Sequence, residues 1–170
     1  VFGDRPLVLR GMNLGLHLGG GALLPGTRVA LPDQTLSAGQ MAWTPAVDLP
    51  AWQGLSPGWL QGRSLMFSAW VDGASGPITW HAKAMATSYL SAPGDRAAAW
   101  RDGEAGFPHT VTSTFFVDAV DAWLPRTARA VVAFGDSLTD GTATTLNGHD
   151  RWTDGLQRLL LAAGRDDLAI

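Results

Sequence analysis

At 170 residues, 46% hydrophobic and 16% charged, the chain is long enough to bury a core, with roughly 70% of unfolded surface hidden at this size, and too apolar for wholesale disorder. A net charge of −3 and 12 basic residues that form no run exclude a nucleic-acid footprint, and no apolar stretch approaches the roughly 20 residues of a membrane span. The lack of cysteine excludes disulfides and thiolate chemistry and fits any compartment. Residues 1–6 show no basic and apolar leader pattern, which says nothing of export if the amino end is cut.

Up to about residue 128 the chain reads as short strands punctuated by turns, at 6–10, 27–31, 40–49, 64–72, 78–83 and 110–118. Leu65, Phe67, Ala69 and Val71 alternate with Ser64, Met66, Ser68, Trp70 and Asp72, the period of two that marks a strand with unlike faces. Gly and Pro gather between the runs, at Gly19-Gly20-Gly21, Pro57-Gly58, residues 73–77 and Pro93-Gly94. The glycine triplet reads as a loop and not a phosphate cradle, because no helix with a Lys-Ser/Thr start follows it. Residues 1–128 are therefore expected to form a β-rich accessory module of the β-sandwich or jelly-roll kind.

After residue 128 the pattern becomes strand, turn, helix. Val131-Val132-Ala133-Phe134 reads as a buried strand, Gly135 and Asp136 as the turn, and Ser137 then stands at the carboxyl end of the strand, where open α/β sheets place their ligands. Arg126 and Arg129 read as solvated boundary charges. Trp152, Leu156, Leu159, Leu160 and Ala163 fall on one face of a helix. With Asp150 as N-cap and Gly164 as stop, that helix is expected to run about 13 residues. Gly155 inside it costs about 1 kcal/mol relative to Ala, so a packing reason is expected for it. Residues 167–170 read as the start of a second strand, and strand, helix, strand opens a parallel α/β sheet.

The words Gly135-Asp136-Ser137-Leu138 and Thr139-Asp140-Gly141, with Arg151-Trp152-Thr153-Asp154 opening the helix, resemble the first sequence block of the GDSL, or SGNH, family of serine esterases and lipases. Residues 76–81, 87–89 and 93–95 more loosely resemble the β module that precedes the catalytic domain in a bacterial branch of that family. The resemblance implies that residues 129–170 begin a flavodoxin-like SGNH hydrolase domain, with Ser137 as nucleophile and as one backbone N–H donor to the oxyanion. Gly135, Asp136, Asp140 and Gly141 would then support the motif loop. It implies hydrolysis of a small-molecule, carbohydrate or lipid ester through an acyl-Ser137 intermediate, with no cofactor, and relatives with this module are often exported. A serine hydroxyl needs a base, and its oxyanion needs preorganised donors.

In the family those parts come from later blocks: a glycine, the asparagine of Gly-x-Asn-Asp and the histidine of Asp-x-x-His. Asn13 and Asn147 begin no Asn-Asp pair, and the residues three before His17, His81, His109 and His149 are Leu14, Ile78, Gly106 and Leu146. The catalytic histidine and the oxyanion glycine and asparagine are thus not in these residues, and a truncated hydrolase is expected, inactive as it stands.

Two other readings are open. Trp43, Trp52, Trp59, Trp70, Trp80, Trp100 and Trp123 lie in the β half. They read as core or domain-interface packing, or else as stacking platforms of a carbohydrate-binding module attached to a non-catalytic α/β segment. The serine word could also be a ligand-binding turn without catalysis. His81 reads as a structural histidine within a strand, or as a group that approaches the site from the β module. His109 and His149 read as surface residues. No His, Asp and Glu cluster has metal-ligand spacing.

Overall fold

The computed structural model describes residues 2–48, 54, 55, 57–60, 62–73, 76–96, 101, 103–123 and 126–170. They fall into two units, Val1–Trp80 with Ser88–Val111, and His81–Thr87 with Thr112–Ile170. Antiparallel β structure dominates the first, in agreement with the β-rich reading.

The first unit is built on one long strand, β1 (Leu7–Gly19). Strands β2 (Ala22–Leu23), β3 (Val29–Ala30) and β4 (Gln34–Leu36) pair with it antiparallel. After the short helix α1 (Pro57–Leu60), β5 (Leu65–Val71) pairs with it from Leu9 to Leu16, and Leu9 and Leu14 are paired on both sides. The register slips between Arg10 and Asn13, where Gly11 takes φ 54°. This bulge adds one residue, so the inward face passes from Leu7 and Leu9 to Met12 and Leu16, all buried. Sequence reading ends the strand at residue 10, whereas the strand continues through the bulge at Gly11 to Gly19. Asn13 is buried and satisfied, donating to Gly11 O at 2.5 Å and accepting from Arg28 Nε at 2.5 Å. The glycine triplet ends β1 at Gly19 and turns tightly at Gly20 and Gly21, and a Cβ on Gly21 would collide with the Phe107 ring.

Strand β6 (Trp80–His81) follows, and β7 (Ser88–Leu90) pairs antiparallel with β8 (His109–Val111). The reading at 64–72 matches β5. That at 40–49 does not hold: residues 40–48 carry no helix or strand and are mostly exposed, since their apolar residues find no ladder to join, and Leu49 lies outside the described residues. The reading at 110–118 divides into β8 and β9 (Thr114–Phe115) around Ser113. None of the described tryptophans is fully buried, and Trp70 in β5 is half-buried. Trp52 and Trp100 lie outside the described residues.

The second unit holds β10 (Arg129–Ala130), the single-turn helix α2 (Ser137–Asp140), α3 (Trp152–Ala162) and β11 (Leu168–Ala169). The two strands pair in parallel, Arg129 opposite Leu168 and Ala130 opposite Ala169, so the expected strand at 167–170 is present. The first strand lies earlier than expected. Val131 N–H still donates to Ala169 O at 2.7 Å, but residues 132–134 have left the ladder, with Val132 83% and Phe134 98% exposed. A sheet of two short strands covers neither face of an apolar run, so the expected buried strand at 131–134 is an exposed connector. Arg129 is exposed but not merely solvated, since its Nη2 donates to Asp167 at 2.6 Å.

Helix α3 closes as a Schellman turn. Gly164 adopts φ 71°, its N–H donates to Leu161 O and the Arg165 N–H to Leu160 O. At the other end the N-cap is Arg151, not Asp150: the Asp154 carboxylate accepts from the Arg151 N–H at 3.0 Å, half of a capping box. Asp150 is taken by the preceding loop, accepting from the Thr145 N–H at 3.0 Å. Gly155 has no packing reason among the described residues, because a Cβ there would meet nothing within 4 Å. Among the described residues no helix is long and apolar enough to cross a membrane.

Candidate active site

Ser137 is the first residue of α2, and its conformation follows from the residues around it. Asp136 is extended, and its Oδ1 accepts from the Leu138 N–H at 2.9 Å, satisfying a donor that a helix start leaves without an intrahelical partner. Gly135 is required by space, since a Cβ there would collide with the Thr139 side chain. Gly141 ends the turn at φ 83°, its N–H donating to Leu138 O at 3.2 Å, and a side chain there would also press on Arg151. Ser137 itself is exposed, and its Oγ bonds no described residue.

A single helical turn costs more to nucleate than its own bonds return, and here the carbonyls at its end are held by side chains from residues 151 and 152. Arg151 Nε donates to Asp140 O at 2.7 Å, and Trp152 Nε1 donates to Thr139 O at 3.0 Å. Arg151 also donates from Nη2 to Ala84 O at 2.5 Å. The Asp140 carboxylate, on the same face of the turn as Ser137, meets His81 Nε2 at 3.0 Å. Beside the turn lies an open depression of about 290 Å³, lined by Ala133, Gly135, Asp136, Thr139, Asp140, Arg151 and Thr153.

The loop from Gly141 to Asp150 is fastened to residues 84–87. Asn147 N–H donates to Met85 O at 3.0 Å, while its side chain and Thr87 bond reciprocally, Thr87 N–H to Asn147 Oδ1 at 2.8 Å and Asn147 Nδ2 to Thr87 Oγ1 at 2.7 Å. Hydrogen bonding by Thr145 holds the Asp150 carboxyl below its ordinary value, which keeps it ionised as an acceptor for the loop.

The five motif residues named from sequence, Gly135, Asp136, Ser137, Asp140 and Gly141, thus form one capped turn. Sequence reading missed the bracing role of Arg151 and Trp152, which it took only as the opening of α3, and the fastening of Asn147 to Thr87. The first had a local signal, since two donors beside a one-turn motif are able to cap it. The second had none, because 60 residues separate the partners. His109 and His149 are exposed. His81 lies in β6, and its ring Nε2 meets the Asp140 carboxylate of the motif turn. No family model and no curated protein matches the chain.

Proposed function

We propose that this chain carries the nucleophile of a serine hydrolase of the GDSL, or SGNH, type, acting on carboxylic esters. In this reading a β-sandwich-like module precedes an α/β catalytic domain that begins near residue 129. The observation that carries it is Ser137: exposed, unbonded at Oγ, first in a capped and braced turn, and followed by a helix and a parallel strand. As the first residue of the turn its N–H has no intrahelical acceptor, which suits donation to an oxyanion. Ser137 Oγ attacks the ester carbonyl as its proton passes to a base, the alcohol leaves, and water releases the acid from acyl-Ser137. The base and the remaining oxyanion donors are assigned to blocks outside these 170 residues.

The test is turnover of p-nitrophenyl acetate by the protein expressed from its complete reading frame. Ser137→Ala is expected to lower kcat by about a thousandfold or more, and an organophosphonate probe is expected to label Ser137. Undiminished turnover in the variant would overturn the reading.

The carbohydrate-binding alternative draws on the tryptophans, with Trp43 and Trp80 exposed and Trp123 93% exposed. Aromatic faces open to solvent are what sugar stacking requires. Quenching of tryptophan fluorescence by polysaccharide would support it, and flat titrations against a broad glycan panel would count against it.

A further inference from the structure

Helix α2 has too few bonds of its own to fix its direction, so the aim of Ser137 is set by what grips the turn. Three grips reach its carboxyl end: Arg151 on Asp140 O, Trp152 on Thr139 O, and His81 on the Asp140 carboxylate. Two of them lead back to residues 81–87, because Arg151 also bonds Ala84 O. That segment is itself anchored. Ala84 is buried, its N–H donates to Thr112 O at 3.0 Å, and the buried Ser113 donates from Oγ to Ala82 O at 2.9 Å. His81 therefore projects from a fixed backbone onto a side chain that shares a helical face with Ser137, three residues away.

From this placement we propose that His81 is a positioning residue for Ser137. Through Asp140 it sets the rotation of the motif turn, and residues 81–87 act as the brace from which it does so. The inference rests on the esterase reading. A stabilising contact is the plainer account, but both side chains are open to solvent, 49% for His81 and 39% for Asp140, and exposed polar pairs contribute little to stability. What the contact fixes is direction, and small misplacements of a reacting atom are costly to rate.

The experiment is steady-state kinetics on p-nitrophenyl acetate with the protein from its complete reading frame, comparing the parent with Ser137→Ala, His81→Ala and His81→Gln. Gln places an amide donor near the position of Nε2. The expected result for His81→Ala is a fall in kcat of about tenfold with KM within twofold, and a shift in Tm of no more than ~2 °C. His81→Gln is expected to recover most of kcat, which a loss of fold would not allow. The rate of organophosphonate labelling of Ser137, measured on folded protein, is expected to follow kcat. Parental kcat in His81→Ala, or a loss that His81→Gln shares in full, would overturn the positioning role while leaving the esterase reading intact. Turnover in the parent that Ser137→Ala does not reduce would instead overturn the esterase reading and the positioning role with it.

Discussion

The two units are held together by different means. In the first, Leu7, Leu9, Met12, Leu16 and Leu23 are buried along and beside one long strand; in the second, the only buried hydrophobic side chain among the described residues is Ala84. The second unit relies on side chains that bond backbone, with Asp136, Arg151, Trp152, Asn147 and Gln157 each closing a loop or a turn. It also holds all the described non-glycine residues at positive φ, namely Met85, Phe116, Ala143, Asn147 and His149. Such conformations cost of order 1 kcal/mol each and concentrate where function sets the backbone. Apolar burial makes a stable frame in the first unit, whereas the second uses directional bonds to hold a turn in a set position.

The sharpest way to break this comparison is to remove one member of each kind. Leu16→Ala deletes a side chain that is 2% exposed and is expected to cost about 3 kcal/mol, read as faster amide hydrogen exchange in β1 and β5. Arg151→Met keeps the apolar stem and removes the donors to Asp140 O and Ala84 O. It is expected to cost about 2 kcal/mol, read as faster exchange at residues 84–87 and 137–142. Neutral or slower exchange there would mean that apolar packing, not hydrogen bonding, holds the turn.

These residues also show how far sequence reaches. Local patterns identified β5, β11, the stop at Gly164 and the serine turn, because each depends on neighbours within a few positions: alternation, a left-handed glycine, a carboxylate next to the N–H it caps. The long β1 was legible only in part, since the Gly11 bulge reverses the parity of its inward face. The strand at 131–134 was misplaced because apolar composition records what is able to be buried, not what covers it. The fastening of Asn147 to Thr87 left no sequence signal, being set by the path of the chain between them, and the approach of His81 to the site was open from sequence only as one of two readings, with Asp140 as its partner not named.

Gly155→Ala sharpens the comparison from the favourable side. Helix α3 carries Gly at an interior position where a Cβ meets no described atom within 4 Å, and its apolar face is open, with Leu159 69% exposed. Replacing Gly is expected to stabilise α3 by about 0.5–1 kcal/mol, seen as slower exchange from 156 to 163. A loss of stability would show instead that another surface requires the missing side chain.

The smallest effect expected is one of pH, at the parallel pair. Asp167 lies just before β11 and receives Arg165 and, at the head of β10, Arg129. These hydrogen bonds, with Arg165 the larger influence, hold its carboxyl well below the ordinary 3.8. A carboxyl whose value is depressed on folding stabilises the fold above its unfolded value and ceases to as pH falls through the folded one. Protection at Arg129, Val131 and Leu168, taken relative to the intrinsic exchange rate at each pH, is therefore expected to be constant with respect to this group at neutral pH and to fall only below about 3.8. Asp167→Asn should remove the acid-side change while leaving the backbone bonds from Arg129 to Asp167 and from Val131 to Ala169 in place. If the variant retains the full acid response, the ladder is governed by other carboxylates, and the ion pairs at Asp167 are only surface charge. If the response disappears, even the strand pair beside the serine turn is set by a directional polar contact, as the rest of that unit is.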